Sequence, residues 1–173
     1  MKIITILYII ALTLGISAQK AQAQASINAH ASAEVIQALT ATETSTLNFG
    51  RFSPESAGGE IRLSPDGIRS ATGSVAMGGG LYNPAIFYLT GQPDFSVTIN
   101  LPAIPVLLTN SANGKTMVVS NWESIPSANG SGVKILNSGL LTLNVGATLK
   151  VGNMNDNPVG LYSGTYAITF AYN

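Results

Sequence analysis

Apolar and polar residues alternate along most of this chain, and no other feature of the sequence constrains its fold as strongly. The alternation is regular in residues 59–65, 95–102, 140–151 and 161–172. A period of two places successive side chains on opposite faces of a strand, so each of these segments has one apolar and one polar face. That pattern is typical of antiparallel sheets with one buried face. The sequence therefore predicts an all-β chain.

Turn-forming residues separate the alternating segments. Asp66-Gly67 and Asn113-Gly114 are hairpin signals, and each has a strand-like segment on both sides. Short strands at this spacing are typical of a β-sandwich or barrel. No segment after residue 23 has a convincing helical period, and the threonines of residues 40–46 favour a strand there. We predict strands at residues 26–42, 47–52, 59–65, 68–77, 85–90, 95–102, 105–109, 115–122, 133–137, 140–151 and 161–172.

Residues 1–23 have the order of a secretory signal peptide. Lys2 makes the start positive, residues 3–16 form a nearly unbroken apolar run, and Ala21-Gln22-Ala23 is an A-x-A cleavage signal. The apolar run is shorter than the stretch of about 20 residues that a membrane span needs. We therefore expect cleavage and no stable membrane span afterwards. The expected location is the periplasm, the cell surface or the extracellular space.

Cleavage after Ala23 leaves residues 24–173, which is enough for a single β-sandwich domain. Ala18 and Ala25 are alternative cleavage sites. The remaining chain has six basic and eight acidic residues, so it offers no basic field that would attract nucleic acid. The sequence has no cysteine, which excludes disulfides and thiolate metal sites.

Residues able to perform catalysis are scarce, and we predict no catalytic, cofactor or metal site. The single histidine, His30, lies near the new N terminus, where a general base is difficult to hold in place. Zinc would need several His or Cys ligands. The Asn- and Asp-rich residues 153–157 lack the regular acidic positions of a calcium loop and favour an ordinary turn. The eight carboxylates are scattered singly, although a hydrolase whose carboxylate pair is distant in sequence stays open.

Four motifs resemble those of a known family. They are LeuAsnPheGly at 47–50 and the segments 89–102, 143–152 and 160–173, the last of which contains GlyLeuTyrSerGlyThrTyrAlaIleThrPhe. They resemble exported bacterial β-sandwich proteins of the domain of unknown function 4402 type, and more distantly archaic chaperone–usher pilins and spore-coat-U-type proteins. The resemblance implies an immunoglobulin-like antiparallel β-sandwich and a cell-surface or fibre role. It implies no catalytic residue, and the chain lacks the disulfide that pilin relatives often hold near their first strand.

The function that we expect is that of a non-enzymatic structural or adhesive subunit at the cell surface or in a pilus-like fibre. The alternative is an extracellular binding module that recognises a glycan or a surface protein through loops such as 78–84 and 153–159. Tyr82 is the best candidate for an aromatic contact in those loops. A carboxylate hydrolase is the third hypothesis.

Two segments are the candidates for assembly. In pilin relatives an N-terminal strand arm leaves its own domain and fills a groove beside the closing strand of the next subunit. The resemblance implies that residues 24–35 are such an arm here, with copies of the chain or related subunits as partners. The alternative is that the arm completes its own sandwich. The predicted assembly strand has the apolar residues Ile27, Ala29, Ala31, Ala33 and Val35, and the closing core strand has Tyr166, Ile168, Phe170 and Tyr172.

The closing strand is expected to be central to the fold, because its apolar face carries three aromatic side chains. Full burial of a phenylalanine predicts that Phe170→Ala lowers the free energy of unfolding by about 3–5 kcal/mol.

Overall fold

The structure is a computed structural model that describes residues 24–128, 133–134 and 138–173, so the predicted signal peptide lies outside the described residues. The chain divides after Glu34, and every described strand lies in Val35–Asn173. In the described residues all regular secondary structure is β. These residues include no helix that is long and apolar enough to cross a membrane. The strands are β1 (Thr40–Ser45), β2 (Phe52–Leu63), β3 (Arg69–Met77), β4 (Ala85–Thr90), β5 (Ser96–Asn100), β6 (Val106–Asn110), β7 (Thr116–Ile125), β8 (Val133–Lys134), β9 (Leu140–Val151), β10 (Tyr162–Ser163) and β11 (Thr169–Tyr172).

These strands form two antiparallel sheets. The large sheet has the order β1-β4-β9-β7-β6-β10, and β2 joins it by pairing with β9 while β3 pairs with β2. The small sheet has the order β11-β5-β8. Strand β9 is the centre of the large sheet because its first half pairs with β4, its second half with β2, and its other side with β7. The all-β antiparallel fold class predicted from the sequence is confirmed.

The core has two parts that meet along β9. In the first part, Ile61 of β2 and Val119 of β7 pack with Leu149. In the second part, the small sheet packs its Val97 and Ile99 against β4 and the first half of β9. Trp122 of β7 packs against both parts and so joins them. The alternating apolar residues of the strands thus lie inside, as their period predicts.

Several strand predictions need correction at the N-terminal side. The strand predicted at residues 26–42 begins only at Thr40, and residues 24–39 form no strand. A strand is stabilised by its ladder of hydrogen bonds, and this segment has none among the described pairings. The strand predicted at 47–52 is a single bridge between Asn48 and Asn83, after which Gly50 adopts a φ of +77° and turns the chain. The turns at Gly67 and Gly114 are confirmed, with φ of +81° and +71° between the strands of two hairpins.

The predicted closing strand is divided between the sheets. Tyr162–Ser163 pair with β6 in the large sheet, whereas Thr169–Tyr172 pair with β5 in the small sheet. The chain must therefore cross from one sheet to the other within residues 164–168, which form no strand. Strand β11 is an end strand of the small sheet, so the expectation of a central strand is wrong. Of the strand predicted at 133–137, residues 135–137 lie outside the part of the chain that the structure describes.

Candidate functional site

A polar cleft of about 410 Å³ lies on the outer face of the large sheet, and we call it the sheet cleft. Its walls come from four neighbouring strands, β3, β2, β9 and β7. Arg62 of β2 lies opposite Ser70 of β3 and Thr148 of β9, and Glu60 lies opposite Thr72. These are the polar sides of the alternating strands, whose apolar sides form the first part of the core. The sheet cleft is lined by Glu60, Arg62, Ser70, Thr72, Asn121, Glu123 and Thr148.

Arg62 and Glu123 form a two-point ion pair in this cleft. The Arg62 Nε and Nη2 atoms donate to the two carboxylate oxygens of Glu123 at 2.9 and 2.5 Å. Hydrogen bonding and attraction to this carboxylate raise the pKa of Arg62 above its ordinary value. The side chains remain 48% and 41% exposed, so the pair contributes little to stability. Its consequence is positional, because each group fixes the orientation of the other.

The backbone of β7 is irregular where it borders the cleft. The pairing of β7 with β9 shifts between Ser120 and Glu123, as in a β-bulge. Asn121 lies within this bulge at a φ of +51°, a conformation that asparagine tolerates better than most residues. The bulge changes which residues of β7 face outward, and it brings both Asn121 and Glu123 to the sheet cleft.

The loop at 78–84, which the sequence offers as a binding loop, is built around Arg69. The Arg69 guanidinium donates to the carbonyl oxygens of Phe49 at 2.9 Å and Gly78 at 2.8 Å. The same group lies over the ring of Tyr82, 4.3 Å from its centre. Tyr82 is 43% exposed. Its ring therefore supports the loop on one face and meets solvent on the other.

The other proposed binding loop, at 153–159, uses its polar side chains internally. The Asn153 Oδ1 accepts hydrogen bonds from the backbone N–H groups of Asn155 and Asp156 at 2.9 and 3.0 Å. Asn157 is buried, where its Oδ1 accepts from Gly152 N–H and its Nδ2 donates to the Thr116 carbonyl. These amides hold the turn, which is the ordinary role of Asn in such a sequence. Among the described residues no three His, Cys, Asp or Glu side chains form a cluster that could hold a metal.

The residues of the predicted assembly strand lie in the segment without strand structure. Ile27 is 91% and Val35 98% exposed, and Ala29, Ala31 and Ala33 are also exposed. His30 lies exposed in the same segment.

The four residues of the predicted closing strand are half-buried and pack against the second part of the core. Phe170 contacts Phe87 of β4, with 6.2 Å between ring centres. The Tyr172 hydroxyl donates to the Gln37 carbonyl at 2.8 Å. Tyr166 stacks on Trp122 at 4.6 Å between ring centres, and burial raises its pKa above the ordinary value. Ile168 completes the set in the crossing between the sheets.

Sequence reasoning missed the sheet cleft. Glu60 and Arg62 stand on the polar side of a predicted strand, and Ser70 and Thr72 on that of the next, so the hairpin between them already aligns four of its residues. Glu123, by contrast, is 61 positions from Arg62 and reaches it only through the pairing of β7 with β9 and the bulge. No local pattern predicts that approach.

Comparison with known proteins identifies a family for this chain. A family model described as a domain of unknown function (DUF4402) matches residues 39–172, which span the eleven described strands. No curated protein and no solved structure matches the chain.

Proposed function

The chain belongs to the DUF4402 family, and on that premise we propose that it is an exported, non-enzymatic structural or adhesive subunit. In this proposal it joins copies of itself or related subunits by strand addition. The observation that carries the proposal is that free edges of β1 and β11 lie close together, while residues 24–39, which precede β1, lie in no strand. An unpaired edge is a template for another strand.

Strands β1 and β11 are two of the described strands that have a free edge. Among the described strands β1 pairs only with β4, and β11 pairs only with β5. Two contacts show that these strands lie close together. Phe170 of β11 contacts Phe87 of β4, and the Tyr172 hydroxyl donates to the carbonyl of Gln37, three residues before β1. Each edge offers a row of backbone N–H and C=O groups that have no strand partner. A strand from another copy has a place to pair beside either edge.

Residues 24–35 are the proposed incoming strand. Ile27 and Val35 each contribute about 1.5–3 kcal/mol when a side chain this exposed becomes fully buried. The three alanines between them contribute much less, so main-chain hydrogen bonds of about 0.5–1.5 kcal/mol each must supply the rest. Pairing of this kind is head-to-tail and does not close on itself, which leads to filaments.

A charge placed on alternate faces of the arm tests the proposal. In the mature protein we compare Ala31→Asp with Ser32→Asp, which adds the same charge to the polar face of the same strand. Light scattering after size-exclusion chromatography should give oligomers for the parent and for Ser32→Asp, and monomers for Ala31→Asp and for a variant lacking residues 24–34. A synthetic peptide of residues 24–35 should bind the shortened variant. Strand addition through this arm is wrong if Ala31→Asp and the shortened variant assemble like the parent.

The proposed lack of catalysis is supported by the way the carboxylates are used. Glu60 and Glu123 both line the sheet cleft, but Arg62 holds both oxygens of Glu123. A glycosidase uses two carboxyl groups, and because arginine holds both oxygens of Glu123, Glu60 is the one carboxylate of the cleft lining that is free to take part. Release of reducing ends from oligosaccharides by the parent but not by Glu60→Gln would instead favour the hydrolase.

A further inference from the structure

Several polar side chains of the sheet cleft have no hydrogen-bond partner in the part of the chain that the structure describes. The side chains of Glu60, Ser70, Thr72 and Asn121 make no hydrogen bond with another described residue, while Arg62 and Glu123 are oriented by their mutual pair. Thr148 forms the floor and is only 6% exposed. Carboxylate, amide, hydroxyl and guanidinium groups thus stand side by side on a rigid sheet, with donors and acceptors interspersed.

The charges of the residues that line the cleft balance together with that of Lys150 beside it, and Asp66 acts on Arg62 from outside the lining. Glu60 and Glu123 are matched by Arg62 within the cleft and by Lys150, which lies directly opposite Glu60 on β9. An anionic ligand would meet two carboxylates, and a simple cation would find no cluster of three acidic or histidine ligands among the described residues. A neutral ligand whose own groups both donate and accept hydrogen bonds fits this arrangement, because every lining group then finds a partner.

We propose that the sheet cleft binds a neutral saccharide chain. Hydroxyl groups of a sugar match the alternating donors and acceptors of Glu60, Arg62 and Asn121. Asn121 also lines a second cleft of about 370 Å³ beside Pro102 and Trp122, so the two clefts meet at this side chain. A ligand of several linked units follows such a surface better than a single sugar does. This inference does not rest on strand addition, and it locates saccharide binding on the sheet face and not in the loops 78–84 or 153–159.

The β-bulge gives the site its preorganisation. In a regular β7, Asn121 and Glu123 would lie on the inward face that carries the buried Met117 and Val119, whereas the bulge turns both of them to the cleft. Bulges commonly redirect side chains beside binding sites. Arg62 and Glu123 already hold each other in place. These two side chains therefore lose less conformational entropy when a ligand binds.

Two substitutions in the mature protein test the proposal without disturbing the core. Glu60→Gln removes a charge from an exposed side chain, and Glu55→Gln is its matched control on the same strand outside the cleft. Asn121→Gly removes the amide but tolerates the positive φ. The probes are maltohexaose, cellohexaose and xylohexaose, with glucose and an acidic oligogalacturonide as comparisons, measured by calorimetry and by chemical-shift changes.

We expect at least one neutral hexasaccharide to bind more tightly than glucose and than the acidic oligomer. Glu60→Gln and Asn121→Gly should each weaken that binding tenfold or more, while Glu55→Gln leaves it unchanged. The proposal is overturned if none of the neutral hexasaccharides binds at millimolar concentration. Unchanged binding in both cleft variants would also overturn it, and so would a preference for the acidic oligomer.

Discussion

Gly146 lies at the centre of β9, where the sequence contains the ValGly motif of residues 145–146, and its environment allows no side chain. A Cβ built on this residue would lie 2.6 Å from the Ser64 carbonyl carbon and 2.7 Å from the Pro65 nitrogen, and it would also meet the Leu63 carbonyl oxygen. All three contacts are with backbone, which cannot rotate away as a flexible side chain can. We therefore predict that Gly146→Ala forces β9 and the segment after β2 apart.

The size of the effect follows from two opposing terms. Overpacking a tight interior typically costs about 1–3 kcal/mol, and rigid backbone neighbours favour the upper end of that range. Replacing glycine by alanine also reduces the freedom of the unfolded chain, which stabilises by about 0.4–1 kcal/mol. The free energy of unfolding should therefore fall by about 2 kcal/mol. At about 2–4 °C for each kcal/mol in a domain of this size, the melting temperature should fall by about 4–8 °C.

Gly79 is the matched control for this substitution. Nothing lies within 4 Å of a Cβ built on it, and its φ is outside the left-handed region. Gly79→Ala should therefore raise the melting temperature slightly, through the unfolded state alone. Thermal unfolding followed by far-UV circular dichroism and by the fluorescence of the single tryptophan, Trp122, measures both variants. A Gly146→Ala protein that melts like the parent, or a Gly79→Ala protein that loses as much stability, would refute the steric argument.

Three further predictions concern the core and its polar contacts. Leu143→Ala, at a fully buried position of β9, should lower the free energy of unfolding by about 2–5 kcal/mol in urea titrations. Phe170→Ala should cost only about half of the 3–5 kcal/mol of a buried phenylalanine, because that ring is half-buried on an end strand. Equal losses for the two variants would contradict this reasoning. The Tyr166 hydroxyl is buried without a hydrogen-bond partner among the described residues, so Tyr166→Phe should not destabilise at pH 7. Because the pKa of Tyr166 is raised in the folded state, its contribution to stability is complete below about pH 10 and is lost above it; Tyr166→Phe should therefore flatten the alkaline decline seen in melts of the parent, and an unchanged decline would count against it. Arg69→Lys keeps the charge but loses the fork that joins two carbonyls, so it should lower the melting temperature and increase proteolysis of the loop at 78–84, unlike the exposed Arg62→Lys.

Local sequence patterns predicted most of the strands because a strand's two faces are encoded within a few neighbouring residues. Strands β4 and β9 begin and end at the predicted residues, and the hairpins turn at Gly67 and Gly114. The strand predictions are wrong where strand pairing, and not local alternation, determines the structure. Residues 27–35 alternate as well as any strand, yet no described strand pairs with them, and alternation without a pairing strand does not make a sheet.

The closing segment illustrates the same limit. Residues 161–172 form one continuous alternating pattern in the sequence, but its two ends pair with different sheets. Which strand lies next to β6 and which next to β5 depends on contacts about 50 to 75 residues away in the chain. The motif marks the segment as part of the sandwich but carries no information on where the chain leaves one sheet for the other.

The sequence by itself determined that the chain is all-β, which faces of its strands are apolar and where its hairpins turn. It also determined to which family the chain is similar. Each of these properties depends on residues that are close together in the sequence. The tertiary structure alone decided which polar faces meet. Arg62 and Glu123 come together only because β2 and β7 both pair with β9, and Asn121 joins them because one irregularity in β7 changes the register. A cleft is a property of several strands at once, so the spacing of residues along any one of them does not encode it.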